Sequence, residues 1–154
     1  MEELQTLLTS VNGKLPHRDS RVRELLAKQP CWFESLSTDS GIAAAESRLG
    51  KVLPKSLRLF YRFPAVGCWL LAHHDTDIFL AHYTQDEQPH LVDWYFRKHV
   101  VLAEFTHSQT VCAVELNSEN PRIEWGADGA QHPFDLPPVY FVEWLGKIAG
   151  DLDN

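Results

Sequence analysis

The sequence has few of the residues that would indicate a disulfide framework, a metal site or a membrane span. Its 154 residues include three cysteines, Cys31, Cys68 and Cys112, which are widely spaced and form no CxxC pair. This pattern is typical of a reducing compartment. No apolar run approaches about 20 residues, so we expect no membrane-spanning helix. The segment Met1–Leu4 lacks the basic and apolar regions of a secretory signal, and we therefore predict a cytoplasmic protein.

The motifs of common enzyme classes are also missing. The chain has no GxSxG, no HExxH and no glycine-rich phosphate loop. Cys68 and Cys112 stand in apolar runs and are predicted to be small buried hydrophobes. Burial in such runs raises the pKa of a thiol, which disfavours a thiolate nucleophile. We accordingly predict a protein that is not an enzyme and has no cofactor.

The histidines form one group that could serve acid–base or metal chemistry. Its members, together with the neighbouring carboxylates, are His73, His74, Asp75, Asp77 and His82. Because adjacent side chains of a strand point to opposite faces, the two neighbouring histidines cannot easily bind one ion. We predict no metal site and keep a small metal-dependent hydrolase that uses His73, His74 or His82 as an alternative.

Charge is distributed unevenly along a chain whose composition, 44% apolar and 23% charged, is that of a folded domain. Residues 1–63 contain ten Lys and Arg against seven Asp and Glu, a net of +3. Residues 64–154 contain four against fourteen, a net of −10. The acidic half disfavours binding to a phosphate backbone and would attract a basic partner. We expect no nucleic-acid ligand.

The first half of the chain has helical patterns. They predict a short helix that ends at Asn12-Gly13, a second helix capped by Ser20, a third from Asp39-Ser40 to Gly50 and a fourth that begins at Pro54. The basic side chains around the fourth helix are predicted to form a solvated outer face, with an anion-binding patch as the alternative. We expect a single domain over residues 1–154, with residues 1–40 as a helical extension and residues 41–154 as the core.

The second half changes to short runs with turn residues between them, which is typical of strands. The predicted strands are Cys68–Ala72, Asp77–Ala81, His99–Phe105, Thr110–Leu116 and Pro121–Trp125, and Pro137-Pro138 is predicted to open a last helix. Strands so close together pair as antiparallel hairpins. The sequence therefore predicts an α+β fold. We expect a mainly antiparallel sheet of about five or six strands, with N-terminal helices and a closing C-terminal helix on one face.

Several short motifs occur in the order and spacing that they have in a known family. Glu46, Leu49-Gly50, Leu53-Pro54 and Phe60 are followed by the run 111–114, by Asn120-Pro121 and by the helix-like run 141–145. This order resembles the SUKH superfamily, which includes bacterial immunity proteins and fungal regulators of cell-wall synthesis. The resemblance spans about residues 42–145. One departure is Ala65-Val66-Gly67, where the family often has Asn-Gly.

The resemblance implies an α+β domain without catalytic residues that binds and neutralises a toxin, often a nuclease. Nuclease toxins tend to be basic because they bind phosphates, which suits the acidic half. We predict that acidic loops and one aromatic residue form the contact surface: Asp75, Asp77, Asp86, Glu87, Asp93 and Trp94. A regulatory scaffold like the fungal members is the alternative within the same resemblance.

Overall fold

The computed structural model describes residues 1–28, 36–74, 76–78, 99–105, 110–116, 119–127, 132 and 134–154. Helices come first along the chain, then a sheet, then a closing helix. Within the described residues the helices are α1 (Glu2–Arg18), α2 (Ser20–Lys28), α3 (Asp39–Leu49), α4 (Lys55–Arg62), α5 (Ala65–His73) and α6 (Phe141–Asp153). The strands are β1 (Thr76–Ile78), β2 (His99–Phe105), β3 (Thr110–Glu115), β4 (Arg122–Ala127) and β5 (Val139–Tyr140). The predicted α+β class is confirmed.

Helix α1 is longer than the sequence predicted, because Asn12-Gly13 does not end it. Val11 and Leu15 continue its buried stripe beyond that pair. The side-chain oxygen of Asn12 accepts a hydrogen bond from the backbone N–H of Ala65, at 3.1 Å, and so caps the first turn of α5. Asn12 is therefore satisfied within a helix by a distant element, which local sequence patterns do not reveal.

Helix α2 begins where expected, but Ser20 is not its cap. The carboxylate of Asp19 accepts hydrogen bonds from the backbone N–H groups of Arg21 and Val22, at 3.0 and 3.2 Å. Ser20 is the first residue of the helix. Asp19 thus satisfies two of the N–H groups that a helix start leaves open.

Helices α3 and α4 confirm their predicted positions. The hydroxyl of Thr38 caps α3 by accepting from the N–H of Gly41, and Gly50 ends the helix in the left-handed region with φ of 66°. Glycine adopts this backbone conformation without the steric cost that a Cβ would add. Helix α4 follows Pro54 directly.

The predicted strand Cys68–Ala72 is wrong, because these residues lie in helix α5. The helix is apolar on nearly every side, and Ala65, Val66, Cys68 and Leu70 are all buried. A continuous apolar run has no period that distinguishes a buried strand from a buried helix. Surrounding contacts with α1 and α2 decided the outcome.

The sheet is antiparallel throughout, in the order β1-β2-β3-β4-β5. Strands β2, β3 and β4 have six or seven residues each, and the edge strands β1 and β5 have three and two. The predictions for 99–105, 110–116 and 121–125 are confirmed to within two residues. Of the predicted strand 77–81, residues 77 and 78 lie in β1, and residues 79–81 lie outside the described residues.

The core joins the helices to one face of the sheet. Cys112 and Val114 of β3 and Ile123 of β4 are buried in the same cluster as Phe60 of α4 and Phe141 of α6. The alternate residues of β3 are buried as well: Ala113 is fully buried and Glu115 is 8% exposed. Strand β3 is therefore covered on both faces.

The two ends of the chain meet. Helix α1 packs along α6, and the carboxylate of Asp153 accepts hydrogen bonds from Ser10 at 2.6 Å and Lys14 at 3.0 Å. These bonds hold the pKa of Asp153 below its ordinary value. The buried residues of α1 belong to the common core cluster. Within the described residues, no helix has the length and apolar character needed to cross a membrane.

Candidate protein-binding surface

Most of the predicted contact residues lie outside the described part of the chain. This holds for Asp75, Asp86, Glu87, Asp93 and Trp94. Asp77 is the middle residue of strand β1, at the edge of the sheet. The predicted surface therefore stays a prediction.

A different segment of the acidic half presents apolar side chains to solvent. Residues 134–140, here called the strap, run beside β4 and lead into helix α6. The register Ile123–Val139 would place Pro137 opposite Trp125. Proline has no N–H, and the carbonyl of Trp125 accepts instead from the N–H of Phe134 at 2.7 Å. Phe134 thus takes the place opposite Trp125 that the register assigns to Pro137. The residues between Phe134 and Val139 form an arch beside strand β4.

The arch exposes bulky apolar groups. Phe134 is 44% exposed, Leu136 55% and Tyr140 44%, and Val139 is exposed too. Pro137-Pro138 between them is also exposed. Single exposed apolar residues are common on proteins, whereas a continuous apolar surface with polar neighbours is typical of an interaction site. Among the described residues, four of the six large exposed hydrophobics are in the strap.

Both ends of the strap are tied to the sheet. Beyond its C-terminal end, the N–H of Phe141 donates to the carbonyl of Pro121 at 2.9 Å. The amide oxygen of Asn120 accepts from the N–H of Val142 at 3.2 Å and caps helix α6. With the Phe134 bond at the other end, the strap is anchored at two points. Helix α6 consequently begins at Phe141, and the predicted start at Pro137-Pro138 is wrong.

A groove of about 350 Å³ separates the strap from strand β4. Arg122 lines it and binds two carboxylates, Glu124 at 2.7 Å and Glu115 at 3.9 Å. Asp135 of the strap also lines the groove. Two lining carboxylates, those of Glu124 and Asp135, against the one guanidinium of Arg122 make the groove net negative, so an approaching cationic side chain is attracted to it.

Several of the residues that resemble the SUKH motifs form structural contacts in the helical half. The carboxylate of Glu46 accepts from the N–H of Leu53 at 2.7 Å and so closes the turn between α3 and α4. Leu53 and Phe60 are buried in the core. The hydroxyl of Ser56 donates to the carbonyl of Glu119, which joins α4 to the residues before β4. These contacts link α3, α4 and the residues before β4.

Cys68 and Cys112 are buried, as the sequence predicted. Burial raises the pKa of Cys68 to about 12 and that of Cys112 further still. Both thiols are buried and free. A raised pKa disfavours the thiolate form of both side chains.

His73, one of the histidines of the alternative metal-dependent hydrolase, contacts Asp19. Its Nε2 lies 2.7 Å from the carboxylate of Asp19 and links α5 to the start of α2. The ring centroid of its neighbour His74 lies 4.5 Å from that of Trp69, with the two ring planes tilted by 53°. His82 lies outside the described residues. In the part of the chain that is described, no three His, Cys, Asp or Glu side chains form a group suited to a metal ion.

Sequence reasoning missed the strap because it assigned Pro137-Pro138 to a helix start. The available signal was the pair of prolines between apolar residues, since two consecutive residues without N–H groups interrupt a strand ladder. Exposure of Phe134 and Leu136 depends on the arch itself. No local pattern distinguishes these side chains from buried ones.

Comparison with known proteins adds no relative. No protein-family model matches the chain. Searches of curated proteins and of solved structures also find no match.

Proposed function

We propose that this chain is a non-catalytic immunity protein of the SUKH type, which binds a basic toxin domain through the strap and the groove beside it. The exposed apolar strap carries this proposal. Its aromatic and aliphatic side chains suit the centre of an interface, and Arg122, Glu124 and Asp135 suit its charged rim. Fungal-type scaffolding would use the same surface for a host partner.

Two features favour tight binding by this surface. Its ends are held by the Phe134–Trp125 and Phe141–Pro121 hydrogen bonds, and its middle contains two prolines. A segment held in one conformation loses less entropy on binding. The surface also belongs to the half of the chain with a net charge of −10, which favours a basic partner.

The test is co-expression with the product of the adjacent reading frame. We expect that product to be a basic toxin that stops growth alone, and we expect this chain to bind it and restore growth. Leu136→Asn replaces the apolar side chain of the strap by a polar one without adding charge and should weaken binding by about thirtyfold, the effect of a typical interface hot spot. Val52→Asn is the matched control, since Val52 is 72% exposed and lies in the helical half.

Three outcomes would contradict the proposal. They are a harmless adjacent product, binding of a host protein and no toxin, and equal toxin binding by Leu136→Asn and Val52→Asn. Thermal unfolding of both variants checks that each is folded. A restored growth that depends on Leu136 and not on Val52 supports both the function and the surface.

A further inference from the structure

The backbone of the strap offers hydrogen-bond acceptors and few donors. The N–H of Phe134 already donates to the carbonyl of Trp125. The N–H of Leu136 donates to the carbonyl of Phe134 at 3.1 Å, which closes a γ-turn. Pro137-Pro138 has no N–H group at all. The carbonyls of Leu136 and Pro137, in contrast, accept no hydrogen bond from any residue that the structure describes.

The prolines also favour one backbone conformation for this stretch. Proline fixes its own φ at about −65°, and steric clash keeps the residue before a proline out of the helical region. Both constraints act on Leu136-Pro137-Pro138 and favour the polyproline II conformation. Neither a helix nor a strand includes residues 134–138, and all five of these residues are exposed. The strap therefore presents proline rings and backbone acceptors in an extended segment.

These properties argue against strand addition at this edge of the sheet. In strand addition, the edge and its partner exchange N–H···O=C bonds along both backbones. Two consecutive prolines cannot donate their share of these bonds. A second copy of this chain is disfavoured for a further reason, because it would bring together two halves that each have a net charge of −10.

An extended proline segment is instead suited to a groove lined by aromatic rings. In this mode the partner's rings pack on the prolines, and the polar N–H or O–H groups of Trp and Tyr find acceptors beside them. We propose that the partner receives Leu136-Pro137-Pro138 in an aromatic-lined groove, where an indole N–H or a phenol O–H donates to the carbonyl of Leu136 or Pro137. This inference rests on the proposed role of the strap as the contact surface, and it applies equally to a toxin and to a host protein.

Indole is a small probe that combines the aromatic ring with the donor. It is titrated into ¹³C,¹⁵N-labelled protein, and NMR follows the Hα–Cα resonances of Pro137 and Pro138 and the amide of Leu136. We expect these resonances to shift with a Kd on the order of 10 mM, as for a ligand of this size. The matched probe 1-methylindole has the ring without the N–H donor. It should bind about fivefold more weakly, because one hydrogen bond is lost.

Two variants test whether the strap is the binding site. The double substitution Pro137→Ala and Pro138→Ala removes both rings and restores two N–H groups. It should weaken indole binding about tenfold, as read from the amide of Leu136. Val52→Ala is the matched control, because it removes an apolar group that is 72% exposed in the helical half, and it should leave the Kd unchanged. Thermal unfolding checks that both variants are folded.

Four results would overturn the proposal. They are equal binding of indole and 1-methylindole, equal binding of indole by the proline variant and Val52→Ala, dimerisation of the chain through the strap, and shifts confined to Glu124 and Trp125. The last result would place the ligand in the groove beside β4 and not on the prolines. A harmless product of the adjacent reading frame would contradict the immunity function and leave the indole titration unaffected, so the two proposals fail separately.

Discussion

The helical half and the strap use the same residue types in opposite ways. Phe60 of α4 is 1% exposed and meets the ring of Phe141 edge-on at a centroid distance of 5.9 Å. Phe134 of the strap is 44% exposed. Both phenylalanines lie in sequence segments with other apolar residues. The apolar composition of a segment therefore does not determine whether its side chains lie in the core or on the surface. The path of the backbone around each residue determines it.

Polar contacts explain why the helical half closes around its apolar residues. Asn12 caps α5, Asp19 caps α2 and Glu46 closes the turn before α4. Each side chain satisfies backbone N–H groups where a helix begins or a turn closes, so the helices can approach closely without leaving buried donors unpaired. In the strap, Pro137-Pro138 removes N–H groups and keeps the backbone from joining the ladder.

The largest expected effect tests this contrast directly. Phe60→Ala should lower the free energy of unfolding by about 3–5 kcal/mol, because it removes buried apolar surface and leaves a cavity. Phe134→Ala should change it by no more than about 0.5 kcal/mol, as for other exposed positions. Chemical denaturation of the two variants beside the native sequence provides the measurement. Similar losses in both would show that the strap belongs to the core.

A second experiment examines a polar contact of the helical half. Glu46→Ala should cost about 1.5–3 kcal/mol, since the N–H of Leu53 loses a charged acceptor 2.7 Å away. Glu46→Gln retains an oxygen at the same reach and should recover part of that loss. Denaturant midpoints compare the two variants. Equal stability of Glu46→Ala and the native protein would mean that the turn needs no such acceptor.

The smallest effect appears as a dependence of stability on pH. Burial opposes the charge of Asp19, but hydrogen bonds from His73 and from two backbone N–H groups outweigh burial and hold its pKa below the ordinary 3.8. The stability that charged Asp19 contributes is therefore complete above pH 3.8 and is lost as pH falls through the lowered value. Asp19→Asn should be less stable than the native protein at neutral pH, and the difference should shrink as pH falls below 3.8 through the lowered pKa. A difference that stays constant over this range would assign Asp19 a role independent of its charge.

The accuracy of sequence prediction followed the strength of local signals. Gly50 marked the end of α3 correctly because its left-handed conformation is a local demand that glycine meets best. The strands around residues 99–125 were found because branched and aromatic runs alternate with turn residues. Asn12-Gly13 misled because the partner of Asn12 is Ala65, 53 positions away. The assignment of residues 68–72 to a strand failed because an all-apolar run carries no period.

The candidate surface has one property that composition determines and one that the tertiary structure determines. The acidic character of the second half is a property of composition and could be counted directly. The exposure of Leu136 could not, because it follows from a hydrogen bond between Phe134 and Trp125 that replaces the one Pro137 cannot make. The predicted contact residues around Trp94 remain a prediction.

Composition and local pattern were sufficient to determine the α+β class, the acidic second half, the helix end at Gly50 and the burial of Cys68 and Cys112. These properties depend on residue type and near neighbours. Tertiary structure alone decided that residues 65–73 form a helix, that α1 continues through Asn12 and that the strap turns its apolar side chains to solvent. Each of these outcomes depends on contacts between elements, such as the hydrogen bond from Ala65 to Asn12, the packing of α5 on α1 and α2, and the bond from Phe134 to Trp125. Such contacts exist only once the elements have packed.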